Sequence, residues 1–226
     1  MTLAMNEMNA TTIRVCPKCG REDDTGEVKC RIDGTVLKRK DKLVGTVIED
    51  KYEVLELLGR GGMSSVYKAR HSLMDRIVAV KLLRDELVAI PQLVERFKRE
   101  SKAIGELRHE GIVAVFDYGL MANGTPFLVM DYLEGVTLDK ILKEEKIMEL
   151  SRAVNLISIV CDALSHSHSR GIIHRDIKPS NLLVRTQSHG RETLTIFDFG
   201  IAKMLNQDGS TLHKLTTSGE IFGSPL

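Results

Sequence analysis

The sequence predicts an α+β fold with a small cysteine-bearing module in front of it. Three observations carry this. Short apolar runs, several of them alternating, recur from Tyr52 to Met130 and read as strands. Apolar residues at helical spacing follow Pro91 and again fill Leu150 to Ser169. Three of the four cysteines fall between Cys16 and Cys30, a clustering that points to metal rather than to a disulfide scaffold. The chain has 226 residues, enough for one or two domains, with 42% hydrophobic and 28% charged residues. A net charge of +1 gives no sign of a nucleic-acid partner or a membrane surface. No apolar run reaches the ~18 residues that a membrane helix needs. Met1 to Arg14 is polar and lacks the core of a signal peptide, so a cytoplasmic location is expected.

Residues 1–13 read as a disordered lead. Residues 14–37 form the module, which holds Cys16-Pro17-Lys18-Cys19-Gly20 and Cys30-Arg31-Ile32-Asp33-Gly34. Each is a ligand-x-x-ligand-Gly turn, in which glycine lets the backbone fold under the ligand atoms. The pair resembles the knuckles of a zinc ribbon, with Asp33 standing where the fourth cysteine would be. Zn²⁺ accepts a carboxylate oxygen, so Cys16, Cys19, Cys30 and Asp33 make a candidate Cys₃Asp site. The module has little core of its own, and a metal would supply much of its folding energy. A pair of small hairpins without metal is the competing reading.

Residues 38–51 read as a charged linker, and residues 52–226 as the main domain. Leu55 to Leu58 leads into Gly59-Arg60-Gly61-Gly62-Met63-Ser64-Ser65-Val66, and Val66-Tyr67 opens a second strand. A glycine-rich hairpin tip lets backbone N–H groups approach phosphates, although alone it is a weak signal. Ile77 to Leu82 alternates as a strand that puts Ile77, Ala79 and Lys81 on one face. After Pro91, the residues Leu93, Phe97, Glu100, Ile104 and Leu107 form one helical stripe. Glu100 is its only polar member and needs a partner if buried. Lys81 is the expected one; a rotated helix exposing Glu100 is the alternative.

Ile112 to Tyr118 and Phe127 to Met130 read as strands joined by a turn at Ala122-Asn123-Gly124-Thr125. Thr137 to Glu144 reads as a short helix and Leu150 to Ser169 as a longer one. Val154, Ile157, Cys161, Leu164 and His168 make a helical stripe on the longer helix, with Cys161 expected as core packing and His168 at a core edge. His166 and His168 lie about 200° apart round a helix and cannot share a metal.

Gly171 to Leu183 follows: an apolar, strand-like lead-in, a polar loop, and an apolar strand-like exit. Asp176 can accept a hydroxyl proton, Lys178 can neutralise phosphoryl charge, and Asn181 can offer an amide oxygen to a metal. Leu194 to Phe197 reads as a strand, and Asp198-Phe199-Gly200 ends it, 22 residues after Asp176.

In this order these segments resemble the protein kinases, and in particular the bacterial eukaryotic-like (Hanks-type) Ser/Thr kinases. His174-Arg175-Asp176 with Asn181 matches the catalytic loop, and Asp198-Phe199-Gly200 the metal-binding tripeptide. The glycine loop matches except that Ser64 replaces the third glycine. The resemblance implies a two-lobed fold: a five-stranded antiparallel sheet with one main helix, then a helical lobe that is incomplete in this chain. It implies ATP and Mg²⁺. The nucleotide would lie against Leu58, Gly59, Arg60, Gly61, Gly62, Met63, Ser64, Ser65, Val66, Ala79, Lys81, Asp131, Leu133 and Leu183. Met130 would line the back of the adenine pocket. Asp176 would be the base, Lys178 and Lys81 would spread phosphate charge, Glu100 would hold Lys81, and Asn181 and Asp198 would hold magnesium. Lys178 implies Ser/Thr rather than Tyr specificity, hence protein substrates.

Thr216, Thr217 and Ser218 are candidate self-phosphorylation sites in an activation segment, with Arg175 as partner of the phosphate. The sequence stops at Leu226, before the A-P-E motif. The resemblance implies that, without the helices that follow this motif, the apolar stripe of the long helix lacks part of its cover, and weak or no phosphotransfer by these residues alone is expected. The alternative function is a non-catalytic module, pseudokinase-like or a zinc-ribbon scaffold, that binds nucleotide or partners without turnover.

Overall fold

The computed structural model describes residues 14–23, 25–39, 41–187 and 190–199. The chain divides into two units, Met1–Val47 and Ile48–Leu226. In the first, β1 (Arg14–Val15), β2 (Glu22–Asp23) and β3 (Lys38–Arg39) form a small antiparallel sheet in the order β2-β1-β3. Its buried core is Cys16, Cys30 and Leu37, which is little core, as the sequence suggested. The strand β3 lies in the stretch read as linker.

The second unit opens with a six-stranded antiparallel sheet. Its strands are β4 (Val47–Ile48), β5 (Tyr52–Arg60), β6 (Ser64–His71), β7 (Arg76–Leu83), β8 (Val115–Leu120) and β9 (Pro126–Asp131), in the order β4-β5-β6-β7-β9-β8. The sequence showed five of these; β4 is a two-residue edge strand too short to carry a pattern. The strand β8 starts at Val115 rather than Ile112. Residues 111–113 instead join a later strand: Val113 N–H donates to Ile196 O (2.9 Å) and Ile196 N–H to Gly111 O (2.8 Å).

Strand β7 sits in the middle of the sheet and is buried from Val78 to Leu83. Alternation sends Val78, Val80 and Leu82 to one face and Ala79, Lys81 and Leu83 to the other. Ala79 and Leu83 join the main core with Leu93, Phe97 and Ile104. Those three come from α2 (Pro91–Gly105), which follows a single-turn helix, α1 (Asp85–Val88). Pro91 stands in the first turn of α2, where its missing N–H costs nothing.

The lower part holds β10 (Val136–Thr137), α3 (Leu138–Glu145), α4 (Leu150–His168), a 3₁₀ turn at Pro179–Asn181, β11 (Leu182–Thr186) and β12 (Glu192–Ile196). The three strands pair in the order β10-β11-β12. Glu149 caps α4 by accepting from the N–H groups of Ser151 (2.9 Å) and Arg152 (3.0 Å). The Arg152 guanidinium then bonds Glu145 and Glu192 (2.8 Å each for its closest nitrogen–oxygen contacts to Glu192), fastening α4 to α3 and β12.

Two expectations are corrected here. Cys161 and His168 are exposed rather than packed in or beside a core, and Val154 and Ile157 are 54% and 59% exposed, as a stripe lacking part of its cover should be. Only Leu164 of that stripe packs against the core. The buried face is Leu156-Ala163-Ser167, because small residues let the helix approach residues 109–111 and β12. A methyl group at Gly111 would sit 3.0 Å from the Ala163 Cβ. Apolar periodicity could not reveal this, since the contact is made by an alanine and a serine. Secondly, Gly171 to Ile173 forms no strand; Ile173 is 59% exposed. Among the described residues, no helix is long and apolar enough to cross a membrane.

Candidate functional site

The second unit gathers its chemistry from three places. At the top, β5 and β6 pair as far as Gly59↔Val66 and Arg60↔Ser65, and Gly61 N–H closes the tip on Ser64 O (2.8 Å). The end of β7 holds this tip. Arg84 donates its backbone N–H to Met63 O (3.0 Å) and its Nη1 to Gly62 O (3.3 Å). Glu86 steadies that guanidinium with two bonds of 3.2 Å. Sequence reasoning missed Arg84, whose role depends on which strand end the loop folds over.

Behind the tip, Ala79 and Lys81 lie on β7, with Ala79 opposite Met130 and Lys81 opposite Leu128 on β9. Met130 is buried, as expected for a residue at the back of a pocket. Asp131 ends β9; its N–H is taken by Ala114 O (3.0 Å) and its carboxylate pairs with Arg76. Leu133 packs half-buried against the core, and the Lys68 ammonium lies 4.7 Å from the centre of the Tyr132 ring.

At the bottom is the polar loop. Asp176 pairs with Lys178 (Oδ2–Nζ 2.9 Å). Buried Asn181 donates through Nδ2 to the Asp176 carbonyl (2.9 Å) and to its Oδ2 (3.2 Å). Its amide oxygen remains for another partner. Arg175 and Asp198 both have positive φ, +64° and +58°. Left-handed backbone at non-glycine residues is stored strain of the kind found at functional sites.

His174 ties this loop to the segment after β12. Its Nδ1 accepts from Asp176 N–H (3.2 Å), so its Nε2–H donates to Phe197 O (3.1 Å). The ring packs 4.5 Å from Phe199. Burial holds its pKa below the ordinary histidine value. Phe197 N–H also donates to Asn181 O (3.1 Å). Asp198, the next residue, is thus anchored through Phe197 to both Asn181 and His174. Sequence reasoning quoted His174 within a motif but gave it no role.

Lys81 closes the set. It is buried, with its side chain 7% exposed, and it forms an ion pair with Asp198, whose side chain is 45% exposed. Lys81, Asp176, Asn181 and Asp198 are thereby linked through one chain of contacts. The expected Lys81–Glu100 pair is absent. Glu100 is half-buried on α2, and its Oε1 is buried without a hydrogen-bond partner among the described residues. Burial raises its pKa, opposed by the nearby charges of Arg96, Arg99, Arg175 and Lys81. The competing carboxylate, Asp198, has taken the lysine.

The sequence comparison decides what this arrangement is. The protein kinase domain family matches residues 52–221. The chain belongs to the protein kinase family. Curated kinase relatives include the serine/threonine-protein kinase pkn3 of Myxococcus xanthus, 38% identical over 82% of this chain and 34% of its own. PknB of Mycobacterium tuberculosis is 41% identical over 78% of this chain and 28% of its own. This chain therefore spans about a third or less of the length of these relatives. Among solved structures, the PknI kinase domain of M. tuberculosis superposes with a TM-score of 0.60 and 28% identity, covering 70% of this chain and 63% of that one. A double mutant of the same domain gives a TM-score of 0.63 at 27% identity over 72% of this chain. The kinase fold with its antiparallel upper sheet is as the sequence led one to expect.

In the first unit, Cys16, Cys19, Cys30 and Asp33 meet as predicted, with one ligand atom from each within 4.8 Å of the others. Gly200, the candidate sites Thr216, Thr217 and Ser218, and residues 1–13 lie outside the described residues.

Proposed function

We propose that this kinase domain transfers the γ-phosphoryl group of ATP to Ser or Thr hydroxyls of protein substrates. The observation that carries the reading is the linked set Lys81–Asp198 and Asp176–Lys178–Asn181, reached from both sides of one core. Asp176 orients the substrate hydroxyl and takes its proton as the oxygen attacks the γ-phosphorus; the bond to the β-phosphate oxygen breaks and ADP leaves. Lys178, beside Asp176, faces the charge on the transferred group. Lys81 leaves Asp198 for the α- and β-phosphates when nucleotide enters, and Glu100 then receives the lysine. The glycine tip, pinned by Arg84, lays its N–H groups over the phosphates.

The Asn181 amide oxygen and the Asp198 carboxylate are hard donors that fit magnesium. Held by these two residues, magnesium would supply positive charge against the nucleotide's phosphates. Most of the rate enhancement comes from positioning and electrostatics. Thr216, Thr217 and Ser218 are proposed as sites of self-phosphorylation that Arg175 would read.

Calorimetric titration with MgATP tests the reading. Saturable binding is expected, lost or weakened at least tenfold in Lys81→Met. In a chain extended past Leu226, phosphate transfer from ATP to a Ser/Thr-containing protein, or to residues 211–218, is expected to disappear in Asp176→Asn. A wild-type chain with no affinity for MgATP would overturn it.

We also propose that Cys16, Cys19, Cys30 and Asp33 hold zinc. The supporting observation is that the four groups converge where the unit has almost no other core. Metal analysis of the purified chain is expected to find about one zinc per molecule, reduced to background in Cys16→Ser/Cys19→Ser.

A further inference from the structure

The two cysteine turns are copies of one another down to their backbone bonds. In the first, Cys16 N–H donates to Arg21 O (2.8 Å) and Gly20 N–H to Cys16 O (2.9 Å). In the second, Cys30 N–H donates to Thr35 O (2.8 Å) and Gly34 N–H to Cys30 O (2.9 Å). The glycines match as well, with φ of +74° and +73°, a region that residues with a Cβ seldom adopt. Overlaying the turns puts Cys16 on Cys30 and Cys19 on Asp33.

The match extends to what holds each ligand. The Cys30 thiol receives the backbone N–H of Ile32, two residues on, at 3.4 Å. Asp33 receives the backbone N–H of Thr35, also two residues on, at 2.9 Å and on Oδ1. Its other oxygen, Oδ2, is the nearer of the two to Cys16 Sγ, at 3.4 Å against 3.6 Å for Oδ1. Across the group, Cys19 Sγ and Cys30 Sγ are 3.6 Å apart. A tetrahedral zinc with bonds of about 2.3 Å to sulfur and about 2.0–2.2 Å to oxygen separates two sulfurs by about 3.8 Å and a sulfur from an oxygen by about 3.5 Å. Both separations in the structure fall within a few tenths of an ångström of those edges.

We infer that Asp33 ligates the metal through Oδ2 alone, as the stand-in for a fourth thiolate, while the Thr35 amide fixes Oδ1. This rests on the zinc reading above and adds to it the ligand atom, the coordination number and the group that orients the carboxylate. The centre is then S₃O, with three soft thiolates and one hard, singly attached oxygen.

X-ray absorption on the zinc-loaded full chain tests this, with Co²⁺-substituted protein as a second readout. Three sulfurs at about 2.3 Å and one oxygen at about 2.0 Å are expected in the wild type. Asp33→Cys is expected to give four sulfurs and to raise thiolate-to-cobalt charge-transfer absorption by roughly a third, since intensity follows the number of thiolates. Asp33→Ala is expected to bind Co²⁺ at least tenfold more weakly, with three sulfurs retained. Bound zinc with an unchanged spectrum and affinity in Asp33→Ala would make Asp33 a bystander and overturn this inference while leaving the zinc reading intact. A wild-type chain that binds neither Zn²⁺ nor Co²⁺ would overturn the zinc reading itself, and this inference with it.

Discussion

Replacing Glu100 by glutamine is expected to stabilise the nucleotide-free protein while weakening its nucleotide site. The side chain keeps its shape and loses its charge. In the structure Glu100 is half-buried, its Oε1 has no partner among the described residues, and Lys81 is committed to Asp198. A buried polar atom left unsatisfied costs about 1–3 kcal/mol, more when charged. Half exposure halves that figure, and a neutral amide removes only part of it. The expected gain is about 0.5–1 kcal/mol, or about 1–4 °C in melting temperature for a domain of this size. The sign depends on pH. Burial raises the Glu100 pKa above 4.5, so its stabilising effect is fully present below 4.5 and is lost as pH rises through the folded value. The Glu100→Gln gain should therefore appear at pH 7.5 and vanish near pH 4.5. Nucleotide binding should move the other way, because Lys81 loses the carboxylate that receives it; a tenfold weaker Kd for a fluorescent ATP analogue corresponds to about 1.4 kcal/mol. Thermal melts at two pH values and one binding titration suffice. A Glu100→Gln protein that melts lower than wild type at pH 7.5, or binds nucleotide unchanged, would refute the reasoning.

Other perturbations follow from particular contacts. Burial lowers the pKa of His174; a depressed histidine contributes stability above its unfolded pKa, near 6.5, that is lost as pH falls toward the folded value. Half-buried His166 is shifted the same way. The denaturant midpoint of wild type should accordingly drop between pH 7.5 and 5.5, and less steeply in His174→Phe. A methyl group at Gly119 would lie 2.4 Å from the Cζ of fully buried Phe127. Gly119→Ala should thus cost about 1–3 kcal/mol as overpacking, read as a lower melting temperature with nucleotide Kd nearly unchanged. Arg84→Ala removes the bond to Gly62 O but not the backbone bond to Met63. It should raise nucleotide Kd severalfold without lowering the melting temperature by more than about 2 °C.

Much of this site could be read from the sequence because kinase chemistry is written in short local strings. The loop from His174 to Asn181, the glycine tip and Asp198 each carry their residue types at fixed spacing, and the sheet strands alternate plainly. The cysteine group was legible for the same reason. What escaped depends on which of two partners wins, or on small residues. Lys81 can reach two carboxylates, and nothing in the order of residues says that Asp198 holds it in this state. The buried face of α4 is marked by Ala163 and Ser167, which an apolar count skips. His174 works through its two ring nitrogens and Arg84 through carbonyls of the glycine tip, and neither contact has a sequence pattern.

The central claim is that Lys81 from the sheet and Lys178 from the loop face the phosphates of one nucleotide. An ATP analogue carrying an activated acyl group on its terminal phosphate would acylate whichever lysines lie against that group, and mass spectrometry would locate them. The account predicts labelling of Lys81 and Lys178, both protected by excess MgATP. Labelling spread over exposed lysines, unchanged by MgATP and missing both of these, would contradict it.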